Sequence, residues 1–180
     1  MLQLAASLLD TNRLRVEAIP QLDQLARTCG ERTNLGILHR GEVLYLAGVE
    51  KPNLPMIYSR FGKTAAAHCS SLGKAILAAL PENEVETILE NTELARLTKN
   101  TITERQALGK ELARIRKQGY ALDREEHTLG TFCAACAIIV EGRPVGAIGA
   151  TSRSMEALTE HLEAIRHTAE VIAHRLDRGI

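Results

Sequence analysis

FCAACAIIVEGRPVGAIGATS, at residues 132–152, is the stretch that decides the fold class. Its two apolar runs flank the turn residues EGRP, and this arrangement is typical of a β-hairpin with two buried strands. The runs TNLGILH and VLYLAGVE, joined by RGE at residues 40–42, predict a second hairpin, and MIYSRFG at residues 56–62 predicts a further strand. Hairpins separated by helical segments predict an α+β fold with a mostly antiparallel sheet.

Helical segments surround the two hairpins. Apolar residues recur with a helical period before the first hairpin, where Pro20 predicts a kink or a restart and Gly30 predicts the helix end. Further along the chain, Thr103 is the expected N-cap of a helix that Gly119 ends, and the last helix is expected to begin near Thr159. The segments with helical patterns are residues 2–9, 12–30, 71–80, 81–90, 101–120 and 159–178.

The composition is that of an ordinary globular domain with an aliphatic core. Apolar residues make up 45% of the 180 positions, aromatic residues only 3%, and tryptophan is absent. Lys plus Arg and Asp plus Glu number 22 each, so the chain lacks the basic excess of a protein that binds nucleic acid by itself. No apolar run approaches the ~20 residues that span a bilayer, and the start is a poor signal peptide. The four cysteines indicate reduced thiols, and we expect a single cytoplasmic domain over residues 1–180.

HCSSLGKA, at residues 68–75, combines residue types that serve several kinds of site. A phosphate-binding loop needs an earlier glycine and a Ser or Thr after the lysine, whereas here Ala75 follows Lys74, so a nucleotide cradle is excluded. Adjacent residues of an extended segment point to opposite faces, so His68 and Cys69 are not expected to form a catalytic pair.

The start of the helix that follows is a candidate anion site. Whether Ser70 or Ser71 caps it, the first turn leaves backbone N–H groups without intrahelical acceptors at the positive end of the helix dipole. A carboxylate could accept hydrogen bonds there, and the small side chains would let it approach closely. The same pattern is equally typical of a plain N-cap whose N–H groups face water.

The CAAC segment, Cys133 to Cys136, has the spacing of a zinc or redox motif but lies in an apolar strand. Residues three apart in a strand point to opposite faces, so one thiol is expected to face the core and the other a pocket. A zinc site formed by Cys133 with His68 or His127 is a minor alternative.

DREEH, at residues 123–127, is either a solvated charged turn or, through Asp123, part of a binding site. Asp123 would accept a hydrogen bond from a ligand hydroxyl at the end of a strand. An aspartate in an apolar pocket favours polyols or hydroxy acids, because a ligand that carries only a carboxylate would be repelled. Glu125 and Glu126 are expected to be scaffold or surface residues.

Four segments together resemble the effector-binding domain of IclR-family bacterial transcriptional regulators: YSRFG, HCSSLGKA, GYALDREEHTLGTFCAACAI and VGAIGATSRS. The resemblance extends from about residue 12 to about residue 178. It implies a GAF-like fold, in which helices flank a six-stranded, mostly antiparallel sheet. It also implies a small carboxylate effector, a homodimer or homotetramer, and DNA binding through an N-terminal winged helix-turn-helix that we expect to be absent from this chain.

The resemblance also assigns residues to the effector pocket. The matching positions are Leu54, Ile57, Ser71, Leu72, Cys133, Gly149 and Thr151. Ser71 and Leu72 would offer backbone N–H groups to the effector, whereas Leu54 and Ile57 either close the pocket or belong to the ordinary core. Family members carry two hydroxyl residues at the last two positions, and the loss of one at Gly149 is expected to leave room for a larger effector.

Together these features predict the ligand-sensing domain of a bacterial transcriptional regulator, such as a repressor. Its effector would be a small organic acid, either a sugar acid or an aromatic or keto acid, that modulates DNA binding by the full-length protein. We expect no catalytic residue, no cofactor, no metal and no membrane partner. The alternatives are a GAF-type signalling module and a thiol- or metal-dependent enzyme on the same fold, and a thiol enzyme would need cysteines with a lowered pKa.

Overall fold

The computed structural model describes the backbone of residues 2–50 and 61–178 and the side chains of residues 13–50 and 61–178. Its strands are β1 Arg32–His39, β2 Glu42–Val49, β3 Thr64–Ala66, β4 Ala121–Arg124, β5 Phe132–Val140 and β6 Arg143–Ser152. Its helices are α1 Leu2–Cys29, a 3₁₀ helix Ala67–Cys69, α2 Ser71–Ala79, α3 Glu82–Glu90, α4 Arg105–Gln118, α5 Met155–Thr159 and α6 Leu162–Asp177. The six strands form one antiparallel sheet in the order β3-β2-β1-β6-β5-β4, which confirms the predicted α+β class.

Both predicted hairpins are confirmed, and both close with the same type of turn. Arg40 and Gly41 join β1 to β2 with φ angles of 51° and 80°, and Glu141 and Gly142 join β5 to β6 with φ angles of 50° and 75°. Two consecutive residues with positive φ form a type I′ turn, whose twist matches that of the flanking strands. Glycine at the second position adopts this conformation without a steric penalty.

The strand predicted at residues 56–62, which Gly62 was expected to end, can be tested only at its last two residues. Residues 56–60 lie outside the described residues, and Phe61 and Gly62 form a turn in which Gly62 has a φ of 75°. That left-handed conformation is incompatible with a continuing strand. The short strand β3 follows instead, and it pairs with β2 through Thr64 and Leu44.

Helix α1 runs through Pro20 without a restart. Pro20 lies on the solvent-facing side of the helix, where the Val16 carbonyl oxygen that loses its N–H donor stays accessible to water, while Leu22 and Leu25 are buried on the core side. Burial of that apolar face holds the helix together across the proline. Gly30 and Gly119 follow α1 and α4 with φ angles of 66° and 84°, so both glycine helix ends are confirmed.

Two helix starts differ from the prediction. Helix α4 has Glu104 rather than Thr103 as its N-cap, without a side-chain capping bond. The last helix, expected to begin near Thr159, is α6 and begins at Leu162; the short helix α5, which begins after the capping residue Ser154 and ends at Thr159, was not predicted.

The sheet separates two apolar clusters. Helices α1 and α6 pack on one face, where Leu22, Ile148 and Ile172 are fully buried. Helices α2 and α4 pack on the other face, around Leu77 and Leu108. Each such side chain contributes about 1.5–3 kcal/mol on burial, so an almost wholly aliphatic core suffices. On the α2 face, strands β4 to β6 contribute mainly alanine, which lets α2 lie close to the sheet.

Candidate functional site

The N-terminus of α2 points its first turn toward the sheet. Ser70 is the capping residue: its backbone is extended, and its Oγ accepts the N–H of Gly73 at 3.1 Å. The N–H of Lys74 donates to the Ser70 carbonyl oxygen at 2.9 Å and so begins the helical ladder. The N–H groups of Ser71 and Leu72 therefore have no acceptor within the helix and remain available to a ligand.

Gly73 is required by close packing at the same helix end. A Cβ at this position would overlap the backbone of Ala67, with 2.7 Å to its carbonyl carbon. The 3₁₀ helix thus lies directly on the first turn of α2. Gly73 of the HCSSLGKA segment is therefore needed for this contact and not for binding a phosphate.

Three neighbouring strands place three polar side chains in one row opposite α2. Thr151 on β6 pairs with Cys133 on β5, and Cys133 pairs with Asp123 on β4. Directly opposed residues of antiparallel strands point to the same face of a sheet. Thr151 Oγ1 lies 3.3 Å from Cys133 Sγ, so the row is continuous.

The helix end and the row of side chains enclose a cavity of about 80 Å³. Six of the eight predicted site residues line it, namely Ser71, Leu72, Asp123, Cys133, Gly149 and Thr151. The other two, Leu54 and Ile57, lie outside the described residues. The cavity is also lined by residues that sequence reasoning did not assign to it: Asn34, Tyr45, Ser70, His127, Thr128, Thr131 and Ala150.

Asp123 is the buried carboxylate of this cavity, with only 2% of its surface exposed. Its Oδ1 accepts the N–H groups of Glu126 at 2.7 Å and His127 at 3.4 Å, and so it stabilises the turn after β4. Burial raises the pKa of Asp123 to about 6, although the bond from the Glu126 amide opposes this shift. A shifted carboxyl pKa in a cavity is typical of a functional site.

Lys74 is completely buried and forms an ion pair that the sequence did not reveal. Its Nζ lies 2.6 Å from both carboxylate oxygens of Glu126 and 3.8 Å from Oε1 of Glu111. The pair connects α2 to the turn after β4, so it joins the two walls of the cavity. Glu126 is thus a scaffold residue, and Glu125 is another, because its Oε1 accepts the N–H of Gly130 at 2.7 Å.

Cys69 and Cys136 are not activated nucleophiles. Burial raises the pKa of Cys69 and of Cys136 to about 12, and it lowers the pKa of His68. His68 Nε2 is 3.1 Å from the carbonyl oxygen of Ala95. Cys136 lies in the core between the sheet and α6, whereas Cys133 lines the cavity, as the strand alternation predicts. Within the described ranges, no three His, Cys, Asp or Glu side chains are grouped so that they could hold a metal ion.

Gly149 does not leave the additional room that the sequence led us to expect. A Cβ at this position would overlap the carbonyl oxygen of Ala134 and lie 2.9 Å from the Cβ of Ala135. Neighbouring strand β5 therefore already occupies the space of the missing side chain. The glycine narrows the distance between β5 and β6 instead of enlarging the cavity.

Comparison with known proteins agrees with this architecture. The family described as bacterial transcriptional regulator IclR C-terminal matches residues 6–174. The chain belongs to the IclR family. An IclR-family relative, the HTH-type transcriptional regulator XynR of Escherichia coli (strain K12), is 32% identical over 168 residues, which are 93% of this chain and 67% of XynR. The chain spans between 53% and 67% of the length of the curated relatives that it matches.

Solved IclR structures share the fold. The Thermotoga maritima IclR structure superposes with a TM-score of 0.84 at 31% identity and covers 97% of this chain and 74% of its own. An IclR homologue from Microbacterium hydrocarbonoxydans, complexed with 4-hydroxybenzoate, has a TM-score of 0.82 at 26% identity, with 92% and 69% covered. The matching family is one of regulators, so the domain is not an enzyme. No helix among the described residues is long and apolar enough to cross a membrane.

Proposed function

We propose that this domain senses a small hydroxy or keto acid and thereby modulates DNA binding by the full-length regulator. The observation that carries the proposal is the arrangement of the free N–H groups of Ser71 and Leu72 opposite Thr151 and Asp123 across one cavity. Donors on one side and a carboxylate on the other suit a ligand that carries both a carboxylate and a hydroxyl.

Each end of such a ligand has a partner of the right kind. Its carboxylate would accept the N–H groups of Ser71 and Leu72 at the positive end of the α2 dipole, with the Thr151 hydroxyl as a further donor. Its hydroxyl would donate to the Asp123 oxygen that the turn amides do not use. Cys133 would pack against the carbon skeleton. The roles of Leu54 and Ile57 stay predictions.

The lining of the cavity favours a compact, polar effector. Most of the described side chains that line it are polar, among them Asn34, Ser71, Asp123 and Thr151. A two- to four-carbon hydroxy or keto acid suits such a lining better than an apolar ring. The 4-hydroxybenzoate complex of the Microbacterium homologue also involves an acid with a separate hydroxyl, which supports this class of chemistry but not that molecule.

Effector binding would regulate DNA binding through the rest of the protein. The resemblance that identifies the domain also implies a winged helix-turn-helix and a homodimer or homotetramer. An effector can shift such an assembly only if its affinity differs between the DNA-binding and the released arrangement. The domain would therefore be the sensor of either a repressor or an activator. Its effector would favour either the DNA-binding or the released arrangement.

A thermal-shift screen of organic acids tests the proposal. An acid at 100 times its Kd should add about 2.7 kcal/mol of stability, which raises the Tm of a domain of this size by about 5–10 °C. The corresponding amides, such as glycolamide beside glycolate, are matched controls that lack the carboxylate. If no hydroxy, keto, sugar or aromatic acid raises the Tm, the proposal is wrong.

Ser71→Pro tests whether the backbone N–H of Ser71, rather than its side chain, binds the effector. Ser71 is the first helical residue, where proline is well tolerated, and Ser70 before it is already extended. The substitution removes one N–H donor and should weaken binding of an active acid about tenfold or more, since a hydrogen bond to a charged group contributes about 1.5–3 kcal/mol. Ser71→Ala keeps the N–H and should bind almost normally. Equal losses in both variants would exclude the amide as the carboxylate's partner.

A further inference from the structure

Asn34 is a buried amide on the floor of the cavity that neither the sequence patterns nor the resemblance assigned to the site. It lies on β1 with 5% of its surface exposed and lines the cavity beside Thr151. Its direct partners across the sheet are both glycines, Gly48 on β2 and Gly149 on β6. The missing side chain of Gly48 leaves space for the Asn34 amide, because a Cβ there would come within 3.1 Å of its Oδ1.

The orientation of this amide determines what the Thr151 hydroxyl can do. Asn34 Nδ2 donates to Thr151 Oγ1 at 3.3 Å, and an amide nitrogen cannot accept. The Thr151 oxygen is therefore an acceptor toward Asn34, and its own hydrogen must point elsewhere, toward the sulfur of Cys133 or into the cavity. Sulfur is a weak acceptor, so a ligand carboxylate would take the hydrogen bond.

We propose that Asn34 is a specificity-determining residue of the effector cavity, because it holds Thr151 as a donor toward the ligand and offers its own second N–H. This inference rests on the proposed function and narrows it. With Asn34, the side of the cavity formed by α2, β1 and β6 offers the ligand carboxylate a further N–H donor and the Thr151 hydroxyl, and Asp123 is the carboxylate opposite. The complementary ligand is an acid that also carries a hydroxyl positioned for Asp123.

Asn34→Asp reverses the polarity at this position with little change in shape. The Thr151 hydroxyl would then donate to the new carboxylate rather than to the ligand, and the added charge would repel an acid. Asn34→Ala is the second variant, since it introduces no buried charge. Thr33→Val is the matched control: Thr33 is buried on the same strand, but its Oγ1 donates to the Leu22 carbonyl oxygen on the opposite face of the sheet.

The first measurement needs no ligand. The side-chain amide signals of Asn34 in a ¹⁵N–¹H spectrum are assigned by their loss in Asn34→Ala and then followed in Thr151→Val. We expect both Asn34 amide signals to shift when the hydroxyl is removed and to stay in place in Thr33→Val. Signals that do not respond to Thr151→Val would overturn the proposal, whatever the effector is.

The second measurement is a titration with glycolate, a two-carbon hydroxy acid. Glycolate should shift the amide signals of Asn34 together with those of Ser71 and Leu72, and its Kd should rise about tenfold or more in Asn34→Asp and less in Asn34→Ala. Thr33→Val should leave the Kd unchanged. If glycolate shifts the amide signals of Ser71 and Leu72 with the same Kd in all variants, the proposed role of Asn34 is overturned, whereas the proposed sensor function stands. If it shifts none of these signals, the hydroxy-acid specificity is refuted, and the acid screen decides the sensor function separately.

Discussion

Asp123→Asn is expected to make the free domain more stable at neutral pH. Asparagine has the shape of aspartate and retains an oxygen that can accept the N–H groups of Glu126 and His127, which Asp123 Oδ1 accepts now. What the substitution removes is a negative charge on a side chain that is only 2% exposed and lies beside the Glu126 carboxylate. The native side chain therefore opposes folding whenever it is ionised.

The size of the effect follows from the pKa. Burial raises the pKa of Asp123 from an ordinary 3.8 to about 6. At 1.36 kcal/mol for each pH unit, this difference amounts to about 3 kcal/mol. Between pH 3.8 and pH 6 the folded chain binds more protons at this position than the unfolded chain, so its stability falls as the pH rises. This loss of stability is complete above about pH 6, and the stability of the Asp123→Asn variant would not change with pH for this reason.

Urea denaturation across the pH range measures this directly. The free energy of unfolding of Asp123→Asn minus that of the unsubstituted domain should increase by about 2.5 kcal/mol between about pH 4 and pH 7, with an unchanged m value. Asp23→Asn is the control, because Asp23 lies half-exposed on α1 and its ion-pair partner among the described residues is Arg27 on the same helix. If the free energy of unfolding changes with pH in the same way for Asp123→Asn and for the unsubstituted domain, the buried carboxylate does not oppose folding, and the reasoning is refuted.

Three further results are expected. Lys74→Met should lower the free energy of unfolding by about 3–5 kcal/mol in urea denaturation, because it leaves the buried Glu126 carboxylate without its cation; a loss below about 1 kcal/mol would contradict the buried pair. Gly73→Ala should strongly destabilise the domain, because the added Cβ would overlap the backbone of Ala67. Gly109→Ala on α4, where the added Cβ meets no other atom, should instead raise the free energy of unfolding by about 0.5–1 kcal/mol. The melting temperatures of the two variants test both expectations. Cys69, with a pKa raised to about 12, should stay unmodified by iodoacetamide in the native domain, as judged by mass spectrometry, and rapid alkylation would contradict its burial.

Local sequence patterns predicted the central part of the fold because its determinants are local. The glycines at positions 41 and 142 specify two-residue turns, which bring the apolar runs on either side of each turn together as antiparallel neighbours. The helix through Pro20 could not be predicted in this way. Its continuity depends on how leucines of α1 pack against the sheet, and this tertiary burial overrides the local effect of proline.

The site was predictable to the extent that it consists of backbone N–H groups and matches a family pattern. Ser71 and Leu72 follow from the capped helix start, whereas Asn34 owes its place to the register between β1 and β6. No pattern within β1 marks that residue, since the glycines beside it belong to two other strands. The available signal was a polar residue next to the apolar part of a strand, which needs a hydrogen-bond partner if the strand is buried.

Lys74 and Glu126 show why the two walls of the cavity act as one unit. They are 52 residues apart, and their pair joins α2, whose N-terminus would bind the carboxylate, to the turn that Asp123 stabilises. Apolar side chains of similar volume would stabilise such a position at least as well as a buried ion pair, so stability alone does not account for it. Under the proposed function, a ligand that bridges α2 and Asp123 would act on both ends of this connection at once. Its affinity would then depend on the relative position of helix and turn, and a sensor needs such a difference in affinity between two states in order to shift an equilibrium.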